Sequence, residues 1–261
     1  MCAKAQTIFS VIEKIAPRSL AESWDNVGLQ LGSYRQEVSR VLLALDITKE
    51  VVDEAVEKQA DLIISHHPFI FGGIKKICFD DYKGDLIRRL ISHDIALYAA
   101  HTNLDMAESG LNTYIAGVLG LKNIRPMTAD DQPAFGCIGE IDPVMPEEMI
   151  RLVKERLGVD TLRVTGLPDH PVKKVALCTG SGSEFMGTAK RLGADVYITG
   201  DMKHHEAQRA IESGIWVIDA GHFGTERMVV QWFKDTLEAE KTLKNVDFLI
   251  AESIKDYMMF V

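Results

Sequence analysis

Hydrophobic residues recur at helical spacing from the start of the chain: Ile8, Val11, Ile12 and Ile15 share one face of an opening helix that Pro17 stops. Beyond it, short apolar runs alternate with longer amphipathic stretches. The runs at 41–45, 62–64, 96–99, 175–178, 196–198 and 216–218 read as buried strands, each followed by a polar or glycine-containing loop. This alternation predicts an α/β fold with a largely parallel sheet flanked by helices. The proline-bounded segment 126–133 (PMTADDQP) is the natural linker. It divides the chain into a first α/β lobe over 1–127 and a second over 128–245, with a terminal strand in 246–261 available to return to the first.

The two lobes resemble each other. The segment from Val41, VLLALDITKEVVDEAVEKQADLIISHH, aligns without a gap with VALCTGSGSEFMGTAKRLGADVYITGD from Val175. Val41 falls on Val175, Leu43 on Leu177, Ala55 on Ala189, Ala60-Asp61 on Ala194-Asp195 and Ile64 on Ile198. Farther on, DIALYAAHTNLD from Asp94 and GIWVIDAGHFGTE from Gly214 both read as a strand, a small residue, a histidine and an acid four positions later. The expectation is a duplicated strand-helix-strand unit, the lobes related by a pseudo-twofold axis with equivalent loops facing a common cleft.

Composition narrows the function. The 261 residues are 46% hydrophobic and 26% charged, enough to bury a sizeable core, and the net charge is −9. Basic residues run no further than pairs such as Lys75-Lys76 and Lys173-Lys174, so no stripe offers itself to a nucleic-acid backbone. No apolar stretch approaches the ~20 residues that span a bilayer, and the start reads as no signal peptide. Cys2, Cys78, Cys137 and Cys178 lack the paired spacing of a zinc knuckle or redox dithiol, which suits a reducing cytoplasm.

Reactive residues collect in the loops after the strands, where parallel α/β sheets bind ligands. SHHP (65–68) presents His66 and His67, adjacent histidines able to point apart toward neighbouring ions. AHTNLD carries His101 and Asp105, and GHFGTE carries His222 and Glu226. In both, a helical turn would bring imidazole and carboxylate to one face. His66, His67, Asp105, His222 and Glu226 suit a pair of divalent ions such as Zn²⁺, Fe²⁺ or Mn²⁺, with either carboxylate able to bridge. His101 reads as a third-metal ligand, a proton-transfer group or a hydrogen-bond partner of a ligand. His93 and His170 read as surface residues. The turn TGSGS (179–183) has backbone N–H groups suited to an anion or simply to a tight turn. Trp24-Asp25-Asn26 either covers the pocket or anchors its loop, and Asp46 is either a pocket residue or a helix cap.

Taken in order, SWDNVGLQLG (23–32), ISHHPFIFGGIKKI (64–77), AAHTNLD (99–105), ITGDMKHHEA (198–207) and AGHFGTE (220–226) resemble the GTP cyclohydrolase 1 type 2 homologs, or Nif-three-like proteins, over most of the chain. The resemblance implies a metal pair on the residues matching His66, His67, Asp105, His222 and Glu226. It also implies a homohexameric ring whose sites face an internal cavity, and a short form without the middle domain inserted in some relatives. His204 stands where relatives carry tyrosine; His205 matches a residue often histidine and would neighbour the cavity. The leading expectation is a cytoplasmic metal-dependent hydrolase acting on a small molecule such as a nucleotide, with His101 or Glu226 handling the proton. The alternative is a metal-buffering, metal-delivering or adaptor protein without turnover.

Overall fold

The computed structural model describes residues 2–128 and 135–259. The chain folds as two compact units: one runs to Ala107 and resumes over Val229–Tyr257, and the other is Glu108–Met228. The seams therefore follow Ala107 and Met228, whereas the sequence reading divides the chain after 127 and 245; the helix Val229–Glu238 belongs to the first unit. Of the expected linker, Pro126 ends a strand, and 129–133 lie outside the described residues.

The first unit holds a five-stranded sheet in the order Asp247–Ile250, Arg40–Ala44, Leu62–Ser65, Ala96–Ala99, Gly28–Leu31. The first four are parallel and the last is antiparallel to its neighbour. Every residue of Leu62–Ser65 and Ala96–Ala99 is buried. Strands covered on both faces read as continuous apolar runs, which is why periodicity located them. On one face, Leu42, Ala44, Ile63 and Leu97 pack with Val51, Val52 and Ala55 of the helix Lys49–Glu57 and with Leu86, Ile87 and Leu90 of Tyr82–Ser92. The opening helix, Ala5–Ile15, buries Ile8, Phe9, Val11 and Ile12, and Phe9 stacks on Tyr98 with ring centroids 4.3 Å apart. Ile15, expected on that face, is only partly buried. The helix ends where Pro17 disfavours an α conformation in the residue before it, and Ala16 leaves the helix with φ −123° and ψ 72°. Val229–Glu238 packs on Asp247–Ile250 and Arg40–Ala44, so the C-terminal strand completes the first sheet.

The second unit holds a six-stranded sheet in the order Lys122–Pro126, Cys137–Val144, Val172–Leu177, Val196–Thr199, Trp216–Asp219, Arg163–Val164. Its three strands from Val172–Leu177 to Trp216–Asp219 are parallel, and the flanking ones pair antiparallel. The expected parallel sheet thus forms the centre of each unit, while the second sheet carries antiparallel strands on both sides.

Each centre is pinned in the same manner. In the first unit Val41 pairs with Leu62 and Leu43 with Ile64; Asp61 accepts the backbone N–H of Ser39 and Arg40 at 2.7 and 3.0 Å. In the second, Val175 pairs with Val196 and Leu177 with Ile198; Asp195 accepts those of Lys173 and Lys174 at 2.8 and 2.9 Å.

Candidate metal centre

In the first unit the chain leaves Leu62–Ser65 with its backbone still tied to the neighbouring strand end, His66 N–H donating to Ala44 O (3.3 Å) and His67 N–H to Leu45 O (2.9 Å). His66 is wholly buried and His67 partly so, their ring centroids 5.2 Å apart. The His66 Nδ1–H donates to Ala100 O at 2.8 Å. His67 Nδ1–H donates to Asp46 Oδ1 at 2.7 Å, and His101 Nδ1–H donates to both Asp25 oxygens at 3.0 Å. A carbonyl or carboxylate can only accept, so in each neutral ring the proton sits on Nδ1 and the lone pair on Nε2. Histidines that bind metals are commonly oriented in this way by a carboxylate or carbonyl behind the ring. Ligand-capable atoms of His66, His67 and His101 all lie within 4.8 Å of one another. The Asp105 carboxylate, on the single-turn helix Thr102–Met106, stands 3.6 Å from His66 Nε2.

Asp25 holds this cluster from behind. Its side chain is fully buried and accepts Thr102 N–H (3.1 Å) and the Thr102 hydroxyl (2.5 Å) besides His101. Burial by itself would raise the Asp25 carboxyl, but the hydrogen bonds from His101 and Thr102 outweigh it and bring it down to about 2. Asp46 is thus a residue behind the site and not the cap of the next helix, whose N-cap is Thr48.

The second unit presents His222 and Glu226 on another one-turn helix, His222–Glu226, entered through Gly221 at φ 76°. The turn expected from the sequence places His222 Nε2 2.9 Å from Glu226 Oε2. His222 Nδ1–H donates to Asp201 Oδ2 at 2.8 Å. Glu226 is buried against Gly180, where a Cβ would lie 2.1 Å from its Oε1. Asp219, buried at the end of its strand, accepts Met202 N–H (3.0 Å) and Gly221 N–H (2.9 Å) and pairs with Arg163, so it holds the loops carrying Asp201 and His222.

Other readings resolve differently. The TGSGS turn directs its backbone inward: Thr179 N–H donates to Asn112, Gly180 N–H to Thr225 and Gly182 N–H to Thr199, at 2.9, 3.0 and 3.0 Å. It is a packed turn and not an anion cradle. His93 and His170 are exposed, as expected, and His204 and His205 lie exposed at the start of the helix His204–Ser213. Asp201 and Asp219 were not singled out from the sequence. A signal existed for Asp201, which aligns with His67 in the internal repeat.

The donor chemistry fits divalent ions: neutral imidazoles with defined tautomers, carboxylates beside them, and no thiolate in the set. The family model for Duf34/NIF3 (NGG1p interacting factor 3) matches residues 3–256. A Clostridium perfringens protein named GTP cyclohydrolase 1 type 2 homolog is 38% identical over 262 aligned positions, covering 99% of this chain and 100% of that one. A Clostridium acetobutylicum protein of the same name is 38% identical and covers 87% and 86% of the two chains. Among solved structures, a hypothetical protein of Staphylococcus aureus superposes with a TM-score of 0.89 at 32% identity, over all of both chains. The family match, over residues 3–256, establishes that the chain belongs to the Duf34/NIF3 family.

Proposed function

We propose that the protein is a metal-dependent hydrolase acting on a nucleotide or a related small molecule, with two divalent ions held by His66, His67, Asp105, His222 and Glu226. The observation that carries this reading is the orientation of the imidazoles. In His66, His67, His101 and His222 alike, Nδ1 is fixed by an acceptor behind the ring, which presents Nε2 as the ligand nitrogen of His66, His67 and His222 and as the proton acceptor of His101. Histidines that merely fill a core have no need of four such arrangements. The name borne by the clostridial relatives, GTP cyclohydrolase 1 type 2 homolog, supports a nucleotide as the first substrate to try.

Bound divalent ions would polarise the substrate and lower the pKa of a water to roughly 7. The chain's own residues do the rest. Asp46, Asp25 and Asp201 hold the imidazoles and raise their basicity. Asp25, ionised throughout the physiological range, keeps the proton of His101 on Nδ1, so His101 can accept a proton only at Nε2. Glu226, buried beside His222, is the second candidate for proton transfer.

We also read the two units as copies of one strand-helix-strand ancestor, on the matched register and the matched Asp61 and Asp195. The resemblance described above further suggests a homohexamer, to be checked by light scattering; a monomer at all concentrations would exclude it. The test of function is metal analysis of protein purified without added metal, then a substrate screen with that metal restored. Two equivalents per chain and metal-dependent turnover are expected. One tight equivalent would overturn the two-metal reading, and stoichiometric metal without turnover on any nucleotide or phosphoester would favour a binding or delivery role.

A further inference from the structure

Trp24 and Phe71 are an aromatic pair set in solvent, whereas Phe9 and Tyr98 stack at 17° in the core and Phe135 and Phe185, both partly buried, stack at 14°. Trp24 and Phe71 have centroids 5.6 Å apart and planes tilted by 40°, and they are 55% and 54% exposed. Their loops are not loose. Asn26 Nδ2 donates to Ile70 O at 2.5 Å, while Gln30 both donates to Ile70 O (3.2 Å) and accepts from Ile70 N–H (3.0 Å). On the other side, the residue after Trp24 is Asp25, whose buried side chain is tied to His101 and Thr102. A hydrogen-bonded frame thus holds two large apolar faces in water, and the exposure of such surface is unfavourable unless something covers it.

What covers it is indicated by what stands beside it. The Trp24 ring centroid is 6.2 Å from that of His101, which meets it near edge-on at 71°, and His101 is 5.2 and 5.5 Å from His66 and His67. A ligand engaged at the imidazole cluster would therefore have its remainder against the aromatic pair. The complementary molecule carries a hard anionic group at one end, for the ions, and a flat π-face at the other, for the rings. A nucleotide has both, and the two-ring wall matches a purine better than a pyrimidine because the larger base covers more of it.

We propose that Trp24 and Phe71 form the base-stacking subsite of the centre, taking the purine of a nucleotide whose phosphate end reaches the ions at His66 and His67. This rests on the metal-centre reading above. Base stacking on aromatic side chains tolerates any base, so the subsite sets a preference for purine over pyrimidine and over no base at all, without choosing guanine over adenine.

Trp24 supplies its own reporter, since Trp216 and Trp232 are only 5% and 4% exposed. Zinc-loaded full-length protein is titrated with GMP, CMP and ribose 5-phosphate, following tryptophan emission and heat. GMP should quench the emission and bind about ten-fold or more tightly than ribose 5-phosphate, with CMP between. In Trp24→Ala and Phe71→Ala that advantage should shrink while ribose 5-phosphate affinity stays, and Trp24→Phe should keep most of it; thermal melts show that the variants are folded. Equal affinity for GMP and ribose 5-phosphate, or an undiminished advantage in Trp24→Ala, would overturn the proposal and leave the metal centre standing. If zinc does not bind, the metal reading fails alone, because guanosine needs no ion to stack. Quenching by guanosine that is lost in Trp24→Ala then supports the subsite, and none overturns it. Trp24 emission shielded from acrylamide without ligand and released on dilution would also overturn it, by showing a second copy on the rings.

Discussion

Gly180 offers a sharp test of how the second unit holds its carboxylate. The residue sits at φ 63°, and a Cβ there would lie 2.1 Å from Glu226 Oε1 and 3.5 Å from His222 Cε1. The neighbouring groups have little freedom to move. Glu226 is 3% exposed, Gly180 N–H donates to Thr225 Oγ1 at 3.0 Å, and Gly180 O accepts Gly200 N–H at 2.8 Å. Gly180→Ala therefore places a side chain in a left-handed backbone, costing about 1–2 kcal/mol. It also overpacks a buried contact, costing about 1–3 kcal/mol more. A loss of roughly 2–5 kcal/mol is expected in guanidinium unfolding. Because Glu226 is the group displaced, zinc affinity should weaken as well. The control is the same chemical change at Gly187, in the helix Met186–Arg191, where a Cβ meets nothing within 4 Å. Gly187→Ala should stabilise by about 0.5–1 kcal/mol. Equal unfolding midpoints for the two variants would refute the claim that Glu226 is wedged in place by the turn at Gly180.

Three further outcomes are expected. Asp46→Ala removes the acceptor behind His67 and should weaken zinc binding by about 10–100-fold in calorimetry, with a smaller change in unfolding midpoint. Glu54→Gln should destabilise by roughly 1–3 kcal/mol at pH 7, because this carboxylate, 10% exposed, accepts from Lys58, from the Ser253 hydroxyl and from two backbone N–H groups of the C-terminal segment. Burial opposes its ionisation, yet those donors prevail and hold it below its ordinary 4.5, so the contribution is present above that value and lost as pH falls through the lower, folded one. Unfolding of wild type and variant at pH 7, 5 and 3.5 should show the gap closing toward acid, and a pH-independent gap would contradict it. Chelation should lower the melting temperature of the full chain, by the equivalent of about 2.7 kcal/mol relative to protein with free metal at 100 times Kd.

The strands that periodicity found are those covered on both faces; the strands it missed lie toward the edges. Gly28–Leu31 has one fully buried residue, Cys137–Val144 is buried only in its first half, and Arg163–Val164 is exposed throughout. Such segments carry neither an apolar run nor a clean alternation, so nothing local marks them. The unit seams were illegible for another reason. A boundary is where few contacts cross, and the helix Val229–Glu238 joins the first unit by packing on Arg40–Ala44, far away in sequence.

The site divides along a similar line. His66, His67, Asp105, His222 and Glu226 could be named because each follows an apolar strand and, for the two later pairs, because a histidine and an acid four residues on share a face once a single turn forms. What orients them could not be read, since the partners lie 21 residues away for Asp46 and His67, 76 for Asp25 and His101, and 21 for Asp201 and His222. Strand register sets the first and the third of these pairings. In the first unit Ala44 lies opposite Ser65, which carries Asp46 to the loop of His67; in the second, Thr199 lies opposite Asp219, which carries Asp201 to the loop of His222. Parallel neighbours end at the same level, so an acid two residues past one strand meets a histidine two or three past the next. That recurrence makes the carboxylates behind His67 and His222 a consequence of the sheet, and a one-residue slip in either pairing would separate ligand from support while leaving every motif in the sequence intact.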